Sequence, residues 1–84
     1  MINERMKNML EAIEVYEMEE IEQRLKAEMH ERMANVYKMY NRENLAKESL
    51  RFANSYTEEA NDKLELIENL RNQVASLEEL AIMN

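Results

Sequence analysis

Not one of the 84 residues is glycine or proline. Glycine supplies positive-φ backbone and close approach to ligands, and proline supplies preset turns. Without either, the chain has no material for a phosphate-cradling loop, a dinucleotide-binding turn or an EF-hand loop. What is left is long regular elements joined by few turns. Glu, Leu, Met, Ala, Lys and Arg, all strong helix formers, make those elements helices. Cysteine is absent too, which excludes disulfides, thiolate metal sites and a cysteine nucleophile. Its absence fits a reducing compartment, and a cytoplasmic location is expected.

The formal net charge is −7, with 35% charged and 45% hydrophobic residues. That apolar fraction is too high for a disordered acidic tail. An acidic surface repels phosphate, so direct nucleic-acid binding is not expected, and a protein with a basic surface is the natural partner. There is no apolar run of transmembrane length, so no membrane association is expected. The opening Met1-Ile2-Asn3-Glu4-Arg5 lacks the features of a signal peptide.

Along residues 1–40 the apolar pattern is helical. Ile2, Met6, Met9, Ile13 and Tyr16 recur at spacings of four and three, on one face. Met18, Ile21, Leu25, Met29, Met33, Val36 and Tyr40 continue with equal regularity, but roughly 160° around the helix from the first set, taking about 100° per residue. No breaker sits between the two stripes. The expectation is one straight helix whose two ends pack against different neighbours. No basic residue lies between Lys7 and Arg24, whereas Glu11, Glu14, Glu17, Glu19, Glu20 and Glu22 all do. These six are the candidate contacts for a basic partner.

The best break is Asn41-Arg42-Glu43-Asn44. Asparagine tolerates left-handed backbone and also caps helices. Asn41 is placed to close the first helix, and Asn41 or Asn44 to open the second. Beyond the break, positions 46, 53, 60, 67, 74 and 81 are Ala, Ala, Ala, Ile, Val and Ala, an unbroken heptad interval. Leu50, Tyr56, Leu64, Leu70 and Leu77 fill neighbouring core positions, and Leu45, Phe52, Leu66 and Leu80 widen the stripe. Ser55-Tyr56-Thr57-Glu58 fits a capping box, but the stripe crosses it without a change of phase.

The expected fold is therefore all-α: an antiparallel hairpin of two long helices, roughly 2–40 and 44–82, packed into a homo-oligomeric helical bundle. Residues 1–84 form one helical domain, with the turn at about 41–44 and the regular second stripe over about 45–82. One unbroken helix in a long parallel coiled coil is the rival arrangement. In the hairpin, Met29, Met33, Tyr37, Met39 and Tyr40 are expected to cover the row of small Ala46, Ala53 and Ala60. The packing set is Met29, Met33, Val36, Tyr40, Ala46, Ala53, Ala60, Ile67, Val74 and Leu77.

Little here suggests catalysis. His30 is the single histidine, beside rather than within the apolar stripe. The Glu-x-x-His pair of di-iron bundles is missing, since position 27 is Ala. Ser49, Ser55 and Ser76 lie on helical stretches with no base beside them. Glu17 with Glu20, and Glu59 with Asp62, form carboxylate pairs one turn apart that could hold Mg²⁺ with substrate phosphates. Their spacing resembles the paired acids of the all-α nucleoside-triphosphate pyrophosphohydrolases. The likeness covers those four acids alone, without the glycine-containing contexts of that family. No cofactor or metal is expected.

The function expected from these features is a non-enzymatic interaction module. It would be an acidic helical oligomer that binds and inhibits a basic-surfaced, nucleic-acid-handling partner, in the manner of a phage-encoded accessory protein. The alternatives are an architectural coiled-coil, scaffold or chaperone subunit, a metal-dependent all-α nucleotide hydrolase, and a small-ligand sponge with a pocket between protomers.

Overall fold

The computed structural model describes residues 2–83, with side-chain environments from Glu4 onward. Helix α1 spans Ile2–Met39 and α2 spans Glu43–Met83. They pack side by side as an antiparallel hairpin, with Cα extents of 66 × 14 × 12 Å. The radius of gyration is 18.9 Å, against about 12 Å for a compact domain of this length. The molecule is a two-helix rod.

Asn41 makes the turn. Its φ is 59°, the left-handed region, which costs most residues about 1–2 kcal/mol and asparagine less. The Arg42 amide donates to the Tyr37 carbonyl at 2.8 Å, and the Asn41 amide to the Lys38 carbonyl at 3.0 Å. Together these two bonds form a Schellman closure, with asparagine where glycine usually stands. Helix α2 begins at once, because the Ala46 amide already bonds the Arg42 carbonyl at 3.0 Å. Arg42 therefore holds the N-cap position. Neither Asn41 nor Asn44 does: Asn41 is committed to closing α1, and Asn44 lies inside the first turn of α2. Lys38 in the last turn of α1 and Glu43 in the first turn of α2 complement the helix dipoles. The capping-box sequence does not interrupt α2. There the Thr57 hydroxyl donates to the Ala53 carbonyl at 2.9 Å, a back-bond within a continuous helix.

The two helices meet along one narrow seam. On α2 it is built from Ala46, Ser49, Ala53, Ala60, Ile67 and Val74, all buried, with Tyr56, Lys63, Leu70 and Leu77 half-buried between them. On α1 it runs through Met6, Met9, Ile13, Tyr16, Glu20, Gln23, Ala27, His30, Ala34 and Tyr37. Both sets alternate three and four residues, as in a coiled coil. The seam is apolar near the chain termini, where Ile13, Ile67 and Val74 cluster with Met6, Met9, Tyr16 and Leu70. Towards the turn it becomes small and polar.

This changes the picture of α1 drawn from its sequence. The helix is continuous, but both of its ends pack on the same neighbour through the same face. That face continues the Met6–Tyr16 stripe and never switches to the Met18–Tyr40 stripe. Consequently Met29, Met33, Met39 and Tyr40 do not cover the alanine row of α2; they are exposed, and only Tyr37 of the expected set is half-buried. Buried Ala27 and Ala34 occupy the seam instead. The reason is steric. Small side chains on both helices permit the short end of the 8–10 Å range of axis separations, and a row of methionines would hold the axes apart.

Candidate interaction surface

The seam leaves α1 with a second apolar face. Met18, Ile21, Leu25, Met29, Met33, Val36 and Tyr40 are all exposed, Met18 by 71% and Tyr40 by 73%. Between Leu25 and Tyr37 they line a shallow apolar groove, edged by Glu28 and Arg32. The outer face of α2 is different in kind. It presents Asn54, Glu58, Asn61, Glu65, Asn72 and Ser76, all exposed. A helix with a polar back and an apolar front suits the surface of a hairpin. A helix with apolar residues on two opposite faces has one more face than the hairpin covers.

The acidic run is largely committed within the chain. Arg71 donates to Glu17 at 2.6 Å and Lys63 pairs with Glu19 at 2.7 Å, both across the seam. Arg24 pairs with Glu20 at 2.8 Å and also donates to Asn61 at 3.2 Å; Lys26 pairs with Glu22 at 3.2 Å. Glu11 and Glu14 are exposed and make no ion pair among the described residues. The pairs Glu20–Arg24 and Glu22–Lys26 are those the helical spacing predicts. Lys63 is not paired with Glu59 as the spacing suggests. It occupies a seam position and reaches Glu19 instead, with its Nζ 5.1 Å from the Tyr16 ring centroid. The hydrogen bond to Glu19 holds the Lys63 pKa above the usual lysine value.

His30 lies outside the Met18–Tyr40 stripe, as its spacing predicts, and faces α2 instead. It lies half-buried in the seam, its ring 5.2 Å from Phe52 and stacked 5.5 Å from Tyr56. Its Nδ1 is buried without a hydrogen-bond partner, as is Oε1 of Gln23. These contacts make His30 a packing residue of the hairpin. Ser49 is buried in the seam, and the Ser76 hydroxyl donates to the Asn72 carbonyl. No group of three or more metal-capable side chains is assembled among the described residues. Of the four paired acids, Glu17 is held by Arg71 and Glu20 by Arg24. No helix among the described residues is long and apolar enough to cross a membrane.

The α1 seam was the part hardest to anticipate. Its only signal is the 3–4 spacing carried on from Tyr16 through Glu20, Gln23, Ala27, His30, Ala34 and Tyr37, none of them a large aliphatic. Compared with protein-family models, curated proteins and solved structures, the chain matches none.

Proposed function

We propose that this chain is a non-enzymatic interaction protein. It uses α2 as a rigid support, self-associates through the outer face of α1, and leaves an acidic exterior for a basic-surfaced partner protein. One observation carries the reading: the exposed apolar stripe from Met18 to Tyr40, on a helix whose other face buries alanines. Covering a side chain of this kind contributes about 1.5–3 kcal/mol relative to leaving it in water. Contiguous exposed apolar surface on this scale marks an interaction face.

The acidic half of the proposal rests on the net charge of −7 and on Glu11 and Glu14, which lack ion-pair partners among the described residues. Such a surface steers association with a basic target. Basic clefts are commonest on nucleic-acid-handling proteins, which favours an inhibitory role in the cytoplasm, as for a phage accessory protein in its host. Affinity capture with wild-type chain and with a Glu11→Lys/Glu14→Lys variant tests this half. A basic protein retained by the wild type and lost by the variant supports it; identical captured sets contradict it. An architectural scaffold subunit would use the same α1 stripe and lack the second, basic partner.

A further inference from the structure

We propose that α1 packs against α1 of a second copy, antiparallel, about a two-fold axis level with Ala27. This rests on the self-association just proposed and specifies its geometry.

The first argument is symmetry. A two-fold interface is isologous: if residue i meets residue j of the partner, then j meets i. The outer stripe of α1 satisfies that condition in its sequence. Counted outward from Ala27, Leu25 mirrors Met29, Ile21 mirrors Met33, and Met18 mirrors Val36. An antiparallel pair therefore sets apolar residues level with apolar residues from Met18 to Val36, with Tyr40 beyond them level with the partner's Glu14. The two polar residues that interrupt it, Glu22 and Arg32, mirror one another as well. Each then stands level with its opposite charge, on the other edge of the contact. Sliding the helices by one turn in one direction sets Glu22 level with the partner's Glu28. Sliding them the other way sets Lys26 level with the partner's Arg32. The first shift also sets Met18 level with the partner's Arg32 and Met33 with the partner's Glu17, and the second sets Val36 level with the partner's Glu22, so the apolar pattern selects the register centred on Ala27.

The second argument is area. The hairpin exposes 6699 Å². A compact monomer of 10.1 kDa exposes about 5,300 Å², an excess here of about 1,400 Å². A stable interface needs about 800 Å² per partner, and obligate dimers use more. The excess is what a second copy would cover. On α2 the exposed apolar side chains Leu45, Phe52, Leu66 and Leu80 lie along one flank at intervals of seven or fourteen residues, a sparser row than the Met18–Tyr40 stripe, which favours α1 for the contact.

Cysteine cross-linking in the otherwise cysteine-free full chain reads the register directly. Two single variants, Met18→Cys and Val36→Cys, are oxidised separately and as a mixture, alongside light scattering of each. In the proposed register position 18 is level with the partner's position 36. The two copies of position 18 lie about 27 Å apart along the axis at 1.5 Å rise per residue, far beyond disulfide reach. The expected result is a covalent dimer in the mixture and little in either variant alone. Efficient self-linking of each variant would mean parallel helices and would overturn the proposal. A dimeric mass with no cross-link in any sample would overturn the register while leaving self-association standing. A monomeric mass would overturn both.

Discussion

Ala27 and Met29 lie two positions apart on α1 and face opposite ways: Ala27 is 5% exposed, against α2, and Met29 is 51% exposed, towards solvent. In the half of the hairpin nearest the turn, the small residues are inside and the large ones outside. Burial normally runs the other way. The inversion follows from close helix approach through alanine, and it leaves the outer face of α1 apolar and exposed.

The alanine seam sets a steric prediction. Ala53 and Ala60 are 1% and 0% exposed. Ala53→Leu or Ala60→Leu should each destabilise the hairpin by about 1–3 kcal/mol, the usual cost of overpacking. Chemical denaturation followed by circular dichroism measures this. Unchanged midpoints would mean the seam is looser than described.

The apolar end sets another. Ile67 is 2% exposed and belongs to the cluster with Ile13 and Val74. Ile67→Ala should cost about 2–5 kcal/mol. Leu66→Ala, at an exposed neighbouring position, should cost far less in the isolated hairpin. Equal losses would contradict the placement of the seam on α2.

Asn41 predicts a backbone effect. With φ at 59°, Asn41→Ala should lower stability by roughly 1 kcal/mol, because alanine pays the left-handed penalty in full. Asn41→Gly should be neutral or slightly stabilising. The opposite order in a thermal melt would mean that another residue makes the turn.

Lys63 gives a pH dependence with a definite sign. Its hydrogen bond to Glu19 favours the charged ammonium and raises its pKa in the folded chain. The stabilisation is therefore fully present below the unfolded-state pKa. It is lost as pH rises through the higher folded-state value. Over the alkaline range the wild type should lose more stability than Lys63→Met. Parallel alkaline profiles would show that the bond contributes nothing in solution.

The two helices and their junction were legible because local chemistry decides them. Helix formers without glycine or proline leave few places to turn, and Asn41 is the best of them. The α2 half of the seam was legible for a related reason, since Ala46, Ala53, Ala60, Ile67 and Val74 keep a strict heptad and are all buried. The α1 half was obscured because apolar periodicity shows which face favours burial, not which neighbour provides it. On α1 the large residues Met18, Ile21, Leu25, Met29 and Met33 mark one face, while Glu20, Gln23, Ala27 and His30 make the contact within the chain. The acidic run was legible in part. Its spacing reveals the pairs along α1, but only the fold brings Glu17 to Arg71 and Glu19 to Lys63.

The central claim is that the outer stripe of α1 is an interface between two copies. Multi-angle light scattering of the wild-type chain across a concentration series tests it most directly, alongside a Leu25→Glu/Met29→Glu variant checked for helicity. The account predicts twice the 10.1 kDa chain mass for the wild type, falling to the single-chain mass in the variant. A wild-type mass of one chain at every concentration would contradict it.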